Sequence, residues 1–207
     1  MIQKKFKQIY LIRHGETEPN RNHVIQGSGL DAHLNAHGFQ QAADFYSAYK
    51  HIPFDAIYTS ALIRTKQSVS SFINARIPHF ALVELNEISW GVKDGTKINA
   101  AEQIIYNSML NDWKAGLLDR CFEKGESPNQ VALRLKIAMK EINSSDFTTI
   151  LMCIHGRALR ILLCLMIGIP LREMEEFLHS NLCLYVLSYE DNNWKIVTRN
   201  DTSHLQI

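Results

Sequence analysis

Three apolar runs in this chain each stop at polar, reactive side chains, and that repeated pattern narrows the fold more than any other feature. The runs are "IYLIRHGET" at 9–17, "FDAIYTS" at 54–60 and "TTILMCIHG" at 148–156. Their apolar parts are continuous rather than alternating, which suits strands covered on both faces of a parallel sheet. A segment of helical periodicity follows each one. Asn35 is placed to cap a helix from Ala36 to Tyr49 with Phe39, Ala42, Ala43 and Tyr46 as its apolar face. Residues 63–75 read as the helix after the second run, and 155–168 as the helix after the third. Strands alternating with helices predict an α/β fold, with a mostly parallel sheet covered by helices on both faces.

The rest of the chain fits that plan. "HFALVELNEI" at 79–88 reads as a short strand, and the segment from Ala100 to Trp113 as an amphipathic helix. Ser127, Pro128 and Gln130 supply a cap, a first-turn proline and a capping-box partner for a helix over 125–142. "LCLYVLSYEDNNWKIVTRN" reads as an edge hairpin turning at Asp191-Asn192-Asn193, whose outer edge could pair across a homodimer. No repeat, low-complexity tract or Pro/Gly/Ser linker interrupts residues 1–207, so a single domain is expected.

Composition limits what such a sheet can serve. With 22 Lys+Arg against 21 Asp+Glu, the net charge of +1 provides no broad footprint for nucleic acid or an anionic membrane, so any anion recognition must be local. The 4 cysteines show no CxxC pairing, and reduced buried thiols are expected. The N-terminal "MIQKKFKQIY" has no apolar core of a signal peptide, and the greasy stretch from Ala158 to Leu171 is short for a bilayer and contains Arg160. A cytoplasmic location is the expectation.

In α/β sheets, ligands gather where the strands end. There the sequence sets Arg13-His14-Gly15, Ser60 through Arg64, Glu87 and His155-Gly156. Arginine donates paired hydrogen bonds and keeps its charge, which suits Arg13 and Arg64 to a phosphoryl dianion. His14, as neutral imidazole, is the candidate nucleophile for phosphorus. His155 begins a helix, so its ring and the Gly156 N–H could both donate to phosphate oxygens. Glu87 could protonate the departing alkoxide and then deprotonate water. Gly15 would let the backbone approach an oxyanion closely.

"LIRHGET" with Asn20, the "TSALIRTKQS" turn, "LNEISWG" and "CIHG" together resemble the phosphoglycerate mutase-like branch of the histidine phosphatase superfamily, over roughly residues 7–190. The resemblance implies a Rossmann-like three-layer α/β/α sandwich, a phosphohistidine at His14, a phosphate pocket of Arg13, Asn20, Arg64 and His155, and Glu87 as proton donor. It also implies a loop at Gln26 and Gly27 that closes on the phosphate. Three positions depart from the pattern. Ala61 stands where proline is usual, His33 where proline is frequent, and Arg157 where a small residue is usual. Arg157 either favours a more acidic substrate or points into solvent.

The activity these residues predict is hydrolysis of a small phosphorylated metabolite, without metal or cofactor. One alternative is a cofactor-dependent phosphoglycerate mutase, disfavoured because only 68 positions (155 − 87) separate Glu87 from His155. Another is a phospho-ligand-binding protein without turnover, disfavoured because every mechanistic group is present. Substrate choice falls to a variable lid at 91–124, where Lys93, Lys97, Tyr106 and Arg120 are candidate contacts. His33 and His37 lie on opposite sides of the Asn35 cap and make a poor metal pair, and Gly27-Ser28-Gly29 lacks the ending of a nucleotide-binding P-loop. Trp90, Trp113 and Trp194 read as packing residues.

Overall fold

The computed structural model describes residues 7–190 and 193–205. Strand β1 (Lys7–Arg13) leads through helices α1 (Glu18–Arg21) and α2 (Ala36–Tyr49) to β2 (Ala56–Ser60). Helices α3 (Ile63–Ser68) and α4 (Ser70–Asn74) precede β3 (His79–Leu82), and α5 (Ala100–Lys114) and α6 (Pro128–Ser144) follow it. Then come β4 (Thr149–Ile154), α7 (Gly156–Ile167), β5 (Leu184–Glu190) and β6 (Asn193–Asp201). Among the described residues these strands form one six-stranded sheet in the order β3-β2-β4-β1-β5-β6. The first four strands run parallel to one another, and β5 is antiparallel to both of its neighbours, β1 and β6.

Two cores flank the sheet, which makes the three layers. Ile9 and Leu11 pack with residues of α5, α6 and α7 on one face, while Ile12 and Leu151 pack with Phe45 of α2 and Phe72 of α4 on the other. Residues with opposite parity in β1 are both buried, which explains the continuous apolar run.

The caps form where the sequence places them. Asn35 accepts the Gly38 N–H at the start of α2, and Ser127 with Gln130 makes a reciprocal capping box on α6 with Pro128 in its first turn. Gly168 closes α7 in the left-handed conformation at φ +74.

Some expectations are corrected. The inward face of α2 is Gly38, Gln41, Asp44 and Phe45, whereas Phe39 is exposed. Gly38 must face inward because a Cβ there would lie 2.1 Å from the Glu16 carbonyl oxygen, and this rotates Phe39 out. The helix expected over 63–75 breaks at Val69 into α3 and α4. At the break, the Ser68 hydroxyl donates to the Arg64 carbonyl oxygen and accepts the Gly15 N–H, a side-chain competition that bends helices. The strand expected over 79–88 stops at Leu82 and passes into a 3-10 turn, Val83–Leu85. Asp191 and Asn192 of the hairpin turn, and the first six residues of the N-terminal segment, lie outside the described residues.

The segment 91–124 leaves and returns at one point. The Val92 N–H donates to the Glu123 carbonyl oxygen at 3.0 Å, and Gly91 takes φ +59, where a Cβ would lie 2.0 Å from that same oxygen. Between these ends α5 is anchored inward by Met109 and Trp113. Cys153, Cys164 and Cys183 are buried free thiols, and Cys121, inside the segment, is exposed. No described helix is long and apolar enough to cross a membrane.

Candidate active site

Sheet register brings the two key histidines together. Arg13 of β1 sits opposite Ile154 of the parallel neighbour β4, so the next residues, His14 and His155, emerge side by side. Their ring centroids are 5.2 Å apart, close to the spacing of neighbouring strands. On the other side of β4, Thr59 pairs with Cys153, and the following Ser60 reaches the His155 ring.

His14 is buried, and its Nδ1 lies 2.7 Å from the Gly15 carbonyl oxygen. A carbonyl can only accept, so Nδ1 carries the hydrogen and the Nε2 lone pair is left for attack. Burial first, and then the positive charges of Arg64 and Arg13, hold this imidazole well below the usual histidine range and keep it neutral.

Arg64 is fully buried and anchored on three sides. Its Nε donates to His155 Nδ1 at 3.2 Å, and its two terminal nitrogens donate to the Leu30 and Gly27 carbonyl oxygens. Asp31 stands 3.9 Å away, and burial pulls the guanidinium down to about 10. Because Arg64 can only donate, His155 Nδ1 accepts, and the neutral ring carries its hydrogen on Nε2, which lies 2.8 Å from the Ser60 hydroxyl. Both His155 nitrogens therefore have partners. Contact with a phosphate oxygen requires the ring to release one of them.

Glu87 is buried with both carboxylate oxygens engaged. Oε1 accepts the N–H groups of Ile88 and Ala158, and Oε2 accepts that of Arg157. His155 gives α7 no side-chain cap, so Glu87 supplies one from a distant loop. Ala61, at the usual proline position, donates its N–H to Asn86, a bond proline could not make.

Arg13, Asn20, Gln26, Glu87, Trp90, Tyr106, Gly156, Arg157 and His179 line a cavity of about 130 Å³. His14, Arg64 and His155 are buried beyond that lining. Asn20 offers its amide oxygen to Thr17 N–H and to Asn181, which turns its NH2 end away from them. Gln26 accepts from the Thr17 hydroxyl, while its Nε2 is buried without a partner. Arg13 donates from one terminal nitrogen to the His179 carbonyl oxygen, and its Nε is also buried without a partner.

Two expected phosphate contacts are otherwise engaged. The Gly27 N–H donates to Asp94 at 2.7 Å and its carbonyl accepts from Arg64, so this loop residue is tied to the 91–124 segment. The Gly15 N–H donates to Ser68, and the space over its Cα is filled by the Gly38 carbonyl, 2.7 Å from where a Cβ would stand. Gly15 therefore serves close chain packing rather than contact with an oxyanion. Of the four substrate-contact candidates in the segment, Tyr106 lines the cavity, Lys93 pairs with Glu102, Arg120 pairs with Asp112, and Lys97 is exposed. Arg157 is 4% exposed and does not point into solvent.

Sequence reasoning missed His179 and Asn181. Both come from the loop before β5, and Asn181 also donates to the His14 carbonyl oxygen at 2.9 Å. No periodicity or motif marks that loop.

The fold and this cluster set two buried imidazoles beside Arg13 and Arg64 at one edge of the sheet. A family model described as histidine phosphatase superfamily, branch 1, matches residues 9–202. A probable phosphoglycerate mutase of Proteus mirabilis is 30% identical, over 96% of this chain and 94% of that protein. An α-ribazole phosphatase from Shigella flexneri superposes with a TM-score of 0.82 at 23% identity, covering 94% and 96% of the two chains. A mycobacterial glucosyl-3-phosphoglycerate phosphatase does so with 0.81 at 18% identity, covering 95% and 100%. The chain belongs to the histidine phosphatase superfamily, branch 1.

Proposed function

We propose that the chain is a metal-independent phosphomonoesterase for a small phosphorylated metabolite. The observation that carries the reading is the His14 imidazole, neutral, oriented by Gly15 so that Nε2 bears the lone pair, and set beside Arg13, Arg64 and His155. Nε2 attacks phosphorus, an N–P bond forms, and the ester P–O bond breaks. The guanidinium groups offset the charge on the phosphoryl oxygens. Glu87 protonates the leaving alkoxide, then takes a proton from the water that hydrolyses the phosphohistidine and returns His14 to its neutral state. A cavity of about 130 Å³ is well below the roughly 300 Å³ of ordinary small-molecule sites, which favours a compact substrate. We also take 91–124 to be the lid, since both its ends meet at Gly91 and Glu123 and Tyr106 reaches the cavity from it.

The test is release of phosphate from a chromogenic aryl phosphate with a chelator present. His14→Ala should lower turnover by about a thousandfold or more. Acid-labile, alkali-stable phosphoprotein should be trapped from the wild type and not from the variant. Full activity in His14→Ala ends the proposal. Mutase action is the second reading, because a relative of matching length carries that name and length therefore does not separate the two. Interconversion of 2- and 3-phosphoglycerate in a coupled assay would favour it. Binding of phosphate esters without any trapped phosphoenzyme would point to a protein that binds without turnover.

A further inference from the structure

Arg157 is the departure from the family pattern that the hydrolytic mechanism does not use, and its surroundings are built rather than incidental. It leaves the first turn of α7, is 4% exposed and lines the cavity. Its guanidinium carbon lies 5.2 Å from the ring centre of Trp113, and its terminal nitrogens contact Glu175 and the Tyr106 hydroxyl. Trp113 and Tyr106 both belong to α5, so the 91–124 segment holds this side chain in place.

Two features of the cluster are incomplete without a ligand. Glu175 is shared between Arg157 and Arg160, so two guanidinium groups face one carboxylate and one positive charge is in excess. Arg157 Nε is buried without a hydrogen-bond partner among the described residues, and so is Gln26 Nε2 on the same cavity. Buried unpartnered donors are costly, and a planar monoanion would answer both the charge and the donors.

We infer that Arg157 is a specificity-determining residue, which binds a carboxylate on the substrate while Arg13 and His14 take the phosphoryl group. Resting on the phosphatase reading, this makes the substrate class a small phosphorylated hydroxy acid. A second phosphate fits less well, because the excess is a single charge and the cavity is small.

Matched pairs separate the inference from the reading beneath it. The ratio of kcat/KM for 3-phosphoglycerate over glycerol 1-phosphate, and for phosphoglycolate over ethyl phosphate, should favour the acid by about ten- to a hundredfold, the range of a charge-assisted hydrogen bond. Arg157→Met should collapse both ratios, and Arg157→Lys should restore them in part. A purely structural arginine would instead change both members of each pair alike. A wild-type ratio near one overturns the inference without any variant, so a misfolded Arg157→Met leaves it testable. Unchanged ratios in a folded Arg157→Met also overturn it, and so does a preference for ethylene glycol bisphosphate over the acids. If no ester is turned over, the phosphatase reading fails. The subsite is then tested by calorimetric titration of 3-phosphoglycerate against glycerol 1-phosphate, where equal affinity overturns it.

Discussion

The proposed nucleophile must stay neutral, and burial beside two arginines holds His14 in that form. Its activity should therefore not fade as pH drops through the ordinary histidine range near 6.5. A profile of kcat/KM against pH checks this, and an acid limb centred on that value would contradict it. His155 depends on Ser60 in a comparable way, since the hydroxyl is the acceptor that completes its tautomer. Ser60→Ala leaves a buried N–H unpaired and should reduce stability by about 1–3 kcal/mol in urea unfolding, with a drop in turnover. At this scale the sequence was informative wherever chemistry is tied to a strand end, as for Arg13, His14 and His155. It was silent on His179 and Asn181, which reach the site from an unpatterned loop, and on which donors would already be engaged. The amides of Gly15 and Gly27 are bound by Ser68 and Asp94, partners distant in the chain.

Glu87 joins two elements, because it caps α7 while facing the cavity from the loop after β3. Glu87→Gln would set an amide NH2 against a backbone N–H, so turnover and stability should fall together, stability by about 1–2 kcal/mol in a urea titration. Loss of activity at wild-type stability would show that the cap is dispensable. The neck of the 91–124 segment is equally specific. Gly91→Ala meets both a left-handed φ and the Glu123 carbonyl, and should lower stability by about 2 kcal/mol or more in the same titration. Helices α2 and α6 were legible because their caps are local chemistry within four residues. The break at Val69 was not, since its cause is a hydroxyl recruited by the loop after β1.

For the whole molecule, several imidazoles are folded away neutral. Burial comes first among the causes that lower His14, His155 and His179, the last to about 2. Unfolding frees these rings to bind protons, so the unfolded chain gains protons as pH falls below about 6.5 and stability declines with it. His14 and His155 should each contribute a slope of about 1.4 kcal/mol per pH unit. Urea midpoints at pH 7.5, 6 and 5 check this; a flat series would contradict it. The layered sheet was legible from the continuous apolar runs of β1, β2 and β4, and the edge hairpin of β5 and β6 from its two strand patterns, whereas the seat of β5 beside β1 was not. Pairing of two copies along its outer edge remains a proposal, which a monomeric mass by light scattering would remove. The thiols offer a practical test of the proposed lid. Burial pushes Cys164 up to about 12 and Cys183 up to about 11, and raises Cys153 as well, while Cys121 is exposed. A colorimetric disulfide reagent should accordingly titrate one sulfur in the native protein; a fluorophore attached there, without any engineered label site, should change its emission during turnover if 91–124 is the lid, and a constant signal would count against that role.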